Sequence, residues 1–194
     1  MRITIGIPCS RLLKPKTVLS LMELVAHSKH DYHFVIATEG YTIAENRTYI
    51  VSQAMKNESD YLFFVDDDMT FPKDTLDRLL AHGKDIVGAQ GYSRMLPLRS
   101  HVVHEHPETP KELFECISLG TAVLLIKMSV FSLIQKPWFN FTQNESGMTT
   151  MGEDAWFCEQ AYRAKIKIWC DPTIPVGHIG DYIYGDPELL ASMV

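Results

Sequence analysis

Three consecutive aspartates, Asp66, Asp67 and Asp68, directly follow an apolar run from Tyr61 to Val65. Such a run predicts a buried strand, and ligands of open α/β sheets bind beyond the carboxyl ends of the strands. Hard divalent cations prefer carboxylate oxygens and share them with substrate phosphates. Metal binding is therefore our first interpretation of the triplet. An exposed acidic turn is the alternative, whereas helix capping fits poorly because residues 69–71 separate the triplet from Pro72, where a helix is predicted to start.

A second acidic motif, the pair Glu153 and Asp154, follows Gly152 at the predicted start of an amphipathic helix. A carboxylate in that position stabilises the helix dipole and caps free amides, so capping alone would explain the pair. The functional alternative is general base catalysis, in which the carboxylate takes a proton from an attacking hydroxyl. A helix N-terminus favours the ionised form of a carboxylate, so such a base would depend on its position rather than on its strength.

Histidine supplies a third chemical group near the end of the chain. His178 stands between two glycines, which permit a ligand to approach the backbone closely. It could complete the coordination of a cation held by the aspartates, although a lone histidine is more often a packed residue. His101, His104 and His106 lie in an irregular polar segment without a cysteine partner, so we interpret them as an exposed loop rather than as zinc ligands.

The elements that must position these groups follow from the periodicity of the chain. Up to residue 89, strands and helices alternate, which predicts a mostly parallel sheet with helices on both faces. In this half the predicted strands are residues 3–9, 32–37, 61–65 and 85–89, and the predicted helices are residues 18–26, residues 44–55 and a segment after Pro72. Beyond it we predict an irregular segment over 91–112, β structure over 114–127 broken at Gly120, a short helix over 129–134, a polar loop over 141–152, a helix over 154–164 and a short strand over 166–170.

Composition limits the classes of protein to consider. The chain has 194 residues, a formal net charge of −6 and four cysteines, and it shows no internal repeat or linker. Its length suffices for one domain with a full core, and its negative charge argues against a broad nucleic-acid surface. The cysteines lie in apolar stretches and are predicted to be buried free thiols. Because no stretch resembles a signal peptide or a membrane span, we expect a cytoplasmic protein.

The order of these pieces resembles the GT-A glycosyltransferases, in particular minimal family 2-like enzymes of bacteria and phages. The resemblance runs from the first strand to His178 and rests on five short segments in order: Ile5-Gly6-Ile7-Pro8, Asn46-Arg47, Phe64 to Asp68, Gly152-Glu153-Asp154 and Gly177-His178. It implies a single-domain α/β fold over residues 1–194, of the Rossmann-like nucleotide-binding type. Residues 1–92 would bind a nucleotide sugar, and residues 93–194 would bind the acceptor and catalyse transfer.

The resemblance also implies the residues of the site. Donor-binding residues would be Pro8, Ser10, Arg11, Glu39, Arg47, Asp66 and Asp67. A divalent cation, Mn²⁺ or Mg²⁺, would bind Asp68 and His178, and Asp66 would contact the ribose or the metal. Asp154 would be the catalytic base of an inverting transfer. Glu39 stands where the family usually has aspartate, and which member of the triplet binds the metal stays open.

The implied reaction is metal-dependent transfer of a sugar from a nucleotide diphosphate, with UDP as the expected nucleotide. The acceptor stays open among a glycan, a protein, a lipid-linked saccharide and a modified DNA base. One alternative is a nucleotidyltransferase, which would normally have a glycine-rich phosphate loop near the N-terminus, where residues 9–14 contain no glycine. The other alternative is a nucleotide-sugar-binding module without turnover.

Overall fold

A computed structural model describes residues 1–9, residues 12–180 and the backbone of residues 183–184. Its strands are β1 (Arg2–Pro8), β2 (Asp31–Ala37), β3 (Tyr61–Val65), β4 (Met69–Thr70), β5 (Ile86–Ala89), β6 (Val102–Val103), β7 (Phe114–Cys116), β8 (Ser118–Leu119), β9 (Val123–Lys127), β10 (Thr142–Gln143), β11 (Thr149–Met151), β12 (Ile168–Asp171), β13 (Gly177–Ile179) and β14 (Ile183–Tyr184). Its helices are α1 (Pro15–His27), α2 (Ile43–Lys56), α3 (Thr75–Ala81), α4 (Val130–Leu133) and α5 (Glu153–Arg163).

The central sheet has seven strands in the order β2-β1-β3-β9-β5-β12-β7. β1 is parallel to β2 and β3, and β12 is parallel to β5. β9 is antiparallel to both of its neighbours, and β7 is antiparallel to β12. Five of the seven strands therefore run in one direction, which confirms the predicted mostly parallel α/β sheet. The carboxyl ends of β1, β3, β5 and β12 consequently meet at one edge.

Helices cover both faces of this sheet, as predicted. Leu24 of α1 and Leu79 of α3 pack with Phe63 on one face. Ile50 of α2 and Phe157 of α5 pack with Phe64 on the other. The side chains of residues 62–65 in β3 are 0% exposed, which confirms the prediction of a central strand buried on both faces.

Two helix starts differ from the sequence prediction. α1 begins at Pro15 itself, because proline lacks only an N–H that would have no partner in the first turn. α3 begins at Thr75 rather than directly after Pro72, because the Pro72 carbonyl first accepts the N–H of Thr75 in a turn at 3.1 Å. The later start of α3 leaves residues 69–74 between the acidic triplet and the helix.

The predicted polar loop over residues 141–152 is wrong in part, because β10 and β11 form an antiparallel hairpin there. The side chain of Asn144 closes the turn by accepting hydrogen bonds from the backbone N–H groups of Ser146 and Met148. Gly147 adopts a φ of +79°, which suits glycine in such a turn. Strands of two and three residues are too short to show an alternating pattern in the sequence.

The prediction that the cysteines are buried is confirmed for Cys9, Cys116, Cys158 and Cys170, and none of these four forms a disulfide bond. Burial raises the pKa of the Cys116 thiol to about 12, so the thiol stays protonated at neutral pH. Within the ranges that the structure describes, no helix has the length and apolar character needed to cross a membrane.

Asp171, at the end of β12, forms hydrogen bonds and ion pairs that link the end of α3 to the segment leading into β13. Its Oδ2 lies 2.9 Å from Nε2 of His82 and 3.7 Å from Nη2 of Arg78, and its Oδ1 accepts the N–H of Thr173 at 2.9 Å. Burial alone would raise the pKa of Asp171, but the hydrogen bonds from Thr173 and His82 and the charge of Arg78 outweigh burial and hold this pKa below its usual value.

Replacing Asp171 with asparagine should lower the free energy of unfolding at pH 7 by about 2 kcal/mol, because hydrogen bonds to a buried charge are lost. A lowered native pKa stabilises the fold above the unfolded pKa of about 3.9, and this stabilisation is lost as pH falls through the native pKa. Urea unfolding at pH 7, 4.5 and 3.5 should therefore show a deficit that shrinks only in the most acidic sample. The exposed Asp85→Asn change is the control, and a deficit independent of pH would contradict the assignment.

Candidate active site

A cavity of about 440 Å³ lies at the carboxyl edge of the sheet, beyond the ends of β1, β2 and β3. Its lining contains Pro8, Cys9, Thr38, Gly40, Tyr41, Thr42, Ile43, Asn46, Asp66, Asp67, Asp68, Arg94 and His178. This lining includes residues that the sequence singles out, namely Pro8, the acidic triplet and His178. The predicted donor residues Ser10 and Arg11 lie outside the described residues. A larger cavity of about 730 Å³ borders Cys116 and Ile168, and no predicted site residue lines it.

A small second sheet brings His178 to the acidic triplet. β4, directly after Asp68, pairs antiparallel with β13, so that Met69 stands opposite His178. The backbone N–H of Ile179 also donates to the carbonyl oxygen of Asp68 at 2.8 Å. Consequently Nε2 of His178 lies 3.3 Å from Oδ1 of Asp68, although the two residues are 110 positions apart in the sequence (178 − 68).

Asp68 is buried, and both of its carboxylate oxygens have partners. Oδ1 faces His178, and Oδ2 accepts a hydrogen bond from Nη1 of Arg94 at 2.9 Å. Burial alone would raise the pKa of Asp68, but the hydrogen bond from His178 and the charges of His178 and Arg94 outweigh burial and hold this pKa below its usual value. The carboxylate is thus kept ionised at neutral pH.

His178 has the orientation that a metal-binding histidine needs. Its Nδ1 donates to the carbonyl oxygen of Tyr92 at 2.8 Å, which leaves Nε2 directed at Asp68. Burial alone would lower the pKa of His178, but its hydrogen bonds to Asp68 and to the Tyr92 carbonyl raise this pKa above its usual value. Imidazole and carboxylate together are a donor set that fits a divalent cation.

The remaining ligands of such a cation would have to come from elsewhere. Within the part of the chain that the structure describes, no three His, Cys, Asp or Glu side chains form a group that could hold a metal ion. Mg²⁺ typically takes one or two protein carboxylates and keeps water and substrate phosphates as its other ligands. The pair of Asp68 and His178 therefore fits a cation shared with a bound phosphate rather than one held by the protein alone.

The buried side chain of Arg47 links Asp66 of the triplet to Glu153 at the start of α5. Its Nη2 lies 2.9 Å from Oδ1 of Asp66, and its Nε lies 3.4 Å from Oε1 of Glu153. The side chain is 2% exposed, and its guanidinium lies 5.3 Å from the ring centre of Phe64. Among the described residues, Nη1 of Arg47 has no hydrogen-bond partner. The resemblance assigned Arg47 to the donor, whereas the structure places its guanidinium between two protein carboxylates.

Of Glu153 and Asp154, Glu153 is the residue that an ion pair with Arg47 links to Asp66. Its carboxylate is partly buried, and this desolvation raises the pKa of Glu153; the charge of Arg47 offsets the rise only in part. Sequence reasoning treated the residue as a helix cap. The buried arginine that pairs with it belongs to α2, and nothing in the sequence indicates that pairing.

Asp154 lies in the first turn of α5, after the N-cap residue Gly152. Its Oδ1 accepts the N–H of Ala155 at 2.7 Å, so the predicted interaction with free helix amides is present. Asp154 is outside the lining of the 440 Å³ cavity. The chain of contacts from Asp66 through Arg47 to the neighbouring Glu153 nevertheless ties the start of α5 to that cavity.

His101 separates from the other two histidines of its segment. Its ring centre lies 6.4 Å from that of His178, whereas His104 and His106 contact the ring of Phe114. Burial and the charge of His178 lower the pKa of His101, although the carboxylates of Asp154 and Asp66 act in the opposite direction. His101 is therefore a neutral imidazole at neutral pH, next to the ring of His178.

Glu39 lies in a neighbouring cavity of about 400 Å³. The two cavities share Thr38, Gly40, Tyr41 and Asn46 in their linings. The side-chain oxygen of Asn46 accepts the N–H of Gly40 at 2.8 Å, and a Cβ at residue 40 would meet that oxygen at 2.5 Å. Glycine is thus required at residue 40, where the end of β2 turns over the start of α2.

Comparison of the chain with known proteins decides the fold. No family model and no curated protein matches its sequence. Among solved structures, A197 from STIV superposes with a TM-score of 0.69 at 20% identity, over 93% of this chain and 87% of that one. The chain has the GT-A fold. The prediction from the resemblance is confirmed at this level.

Two further GT-A structures show the same core within longer proteins. A structure of GalNAc-T7 with UDP, GalNAc and Mn²⁺ has a TM-score of 0.55 at 10% identity, and S. aureus TarS 1-349 has a TM-score of 0.51 at 16% identity. The match covers 94% and 95% of this GT-A chain, but only 44% and 59% of those two proteins. At such identities the likeness establishes the shared fold and leaves the chemistry to the residues themselves.

Proposed function

We propose that this GT-A protein is a glycosyltransferase that moves a sugar from a nucleotide diphosphate, with UDP as the expected nucleotide, to an acceptor hydroxyl. The observation that carries the proposal is the pair of Asp68 and His178 in the wall of the cavity at the carboxyl edge of the sheet. Mn²⁺ or Mg²⁺ would be held by this pair, with Asp66 close by. When bound, the cation would neutralise charge that develops on the leaving diphosphate.

The protein's own residues would do the rest of the chemistry. Glycosyl transfer passes through an oxocarbenium-like state, so the sugar must be held while its bond to the diphosphate weakens. Asp66, fixed by the buried Arg47, would orient the nucleotide. Asp154 would take the proton of the attacking acceptor hydroxyl, which gives inversion in a single displacement. Residues 1–92 would then form the donor half of the site, and residues 93–194 the acceptor half.

Thermal unfolding with UDP, GDP or TDP, each with Mn²⁺ or with a chelator, tests the proposal first. At 100 times its Kd, a nucleotide that binds only the folded state adds about 2.7 kcal/mol. For a protein of this size, that corresponds to a rise in Tm of about 5–10 °C. We expect such a rise with one nucleotide and its loss with the chelator.

Thermal unfolding and assays of product release together separate the alternatives. No rise with any nucleotide would contradict the proposed donor class and every site residue that depends on it. A nucleotide-dependent rise together with no release of UDP from UDP-sugars, in the presence of a range of acceptors, would favour the binding module without turnover. Release of pyrophosphate from a nucleoside triphosphate and a sugar phosphate would favour the nucleotidyltransferase.

A further inference from the structure

Arg94 already occupies the carboxylate on which the proposed cation would sit. Its Nη1 donates to Oδ2 of Asp68 at 2.9 Å, while His178 faces Oδ1. The side chain of Asp68 is only 10% exposed, so it has little room for another partner. A divalent cation beside Oδ2 would also stand next to the positive guanidinium, and like charges in a partly buried site repel strongly. The cation and Arg94 therefore compete for Asp68.

Of the two partners of Asp68, Arg94 is the one that can leave. His178 is held by its hydrogen bond to the Tyr92 carbonyl and by the pairing of β13 with β4. Its side chain is 15% exposed. The side chain of Arg94 is 53% exposed, and among the described residues its only ion pair is the one with Asp68. Displacement of Arg94 therefore leaves the histidine ligand in place.

A released Arg94 has an obvious new partner within the same cavity. Its side chain lines the wall that also contains Pro8 and the acidic triplet, where the diphosphate of a donor would lie. Guanidinium groups bind phosphate oxygens with two parallel hydrogen bonds, which gives both affinity and orientation. The charge on a bound diphosphate would also reduce the repulsion between the cation and Arg94.

We infer that Arg94 is a diphosphate-binding residue that is held on Asp68 until the cation and the donor arrive together. The inference rests on the proposed function and adds a specific residue to it. It predicts that the cation alone binds weakly, because the cation must displace Arg94 and offers it no new partner. The nucleotide supplies that partner, so the binding of cation and nucleotide becomes cooperative.

Binding of Mn²⁺ alone, followed by electron paramagnetic resonance, and binding of UDP with Mn²⁺, followed by calorimetry, test this inference. In Arg94→Ala, Mn²⁺ alone should bind about fivefold more tightly, because an ion pair no longer competes for Asp68. UDP with Mn²⁺ should bind about tenfold more weakly, because a charged hydrogen bond to the diphosphate is lost. Arg163→Ala, which removes an exposed arginine that pairs with Glu159, is the matched control and should change neither value.

The outcomes separate this inference from the function on which it rests. A wild-type protein that binds neither Mn²⁺ nor UDP would overturn both. If wild type binds both, an Arg94→Ala protein whose affinity for Mn²⁺ alone is unchanged or lower overturns the role of Arg94 and leaves the proposed function standing. Unchanged affinity for UDP with Mn²⁺ does the same. Only opposite changes in the two affinities support the inference.

Discussion

Replacing Asp68 with asparagine is expected to weaken Mn²⁺ binding at least about 100-fold, since the loss of a supporting outer group alone costs 10–100-fold. Sugar transfer should fall with it. Asparagine keeps the size of the side chain but removes the negative charge that faces both His178 and Arg94. The variant should also lose the rise in Tm that UDP and Mn²⁺ produce together. Calorimetry with Mn²⁺ and thermal unfolding with UDP measure the two effects.

Two other aspartates, Asp85 and Asp67, serve as comparisons for the Asp68→Asn variant. Asp85→Asn makes the same chemical change at an exposed position of the surface and should leave Mn²⁺ binding unchanged. Asp67→Asn asks which member of the triplet holds the cation. If Asp67→Asn shows the 100-fold loss and Asp68→Asn binds Mn²⁺ normally, the metal assignment belongs to Asp67, and the pairing of Asp68 with His178 is structural.

The parts of this fold that the sequence predicts are those with long, regular patterns. The apolar run of β3 predicts a strand buried on both faces, and residues 62–65 are indeed 0% exposed. Helix α2 has a capping box between Thr42 and Glu45 and an apolar stripe that includes Ile50, so its type and extent follow from local chemistry. Such elements repeat one signal over two or more turns or over a whole strand. That repetition makes the GT-A core predictable.

The geometry of the site depends on contacts for which the sequence carries no such signal. β4 has two residues, yet its pairing with β13 brings His178 to Asp68. Arg94 and His101 lie in an irregular segment, and only the fold shows that Arg94 reaches Asp68 and that His101 lies beside His178. The burial of Arg47 between two carboxylates follows from the packing of α2 against β1 and α5 rather than from any motif.

Replacing Asp154 with asparagine is expected to lower kcat by about 10²–10⁴-fold, the range that general base catalysis typically contributes. Donor binding should stay close to that of the wild type, because Asp154 lies outside the lining of the 440 Å³ cavity in which we propose that the donor binds. The KM for the donor should therefore change little while kcat falls. Loss of a charge in the first turn of α5 should cost at most about 1 kcal/mol of stability. Steady-state kinetics and urea unfolding together separate the two roles.

Glu153→Gln is the comparison that shows whether the effect belongs to Asp154 alone. Glu153 is partly buried and is linked to Asp66 through Arg47, so its loss should alter the position of Asp66 and, under the proposed function, raise the donor KM. Among the residues that the structure describes, Asp154 forms no ion pair with Arg47, so its replacement should act on kcat. Near wild-type turnover in Asp154→Asn would reduce that residue to the helix-capping role that its hydrogen bond with Ala155 already performs. Loss of kcat in Glu153→Gln with an unchanged donor KM would move the base to Glu153, whose raised pKa would then describe the better proton acceptor.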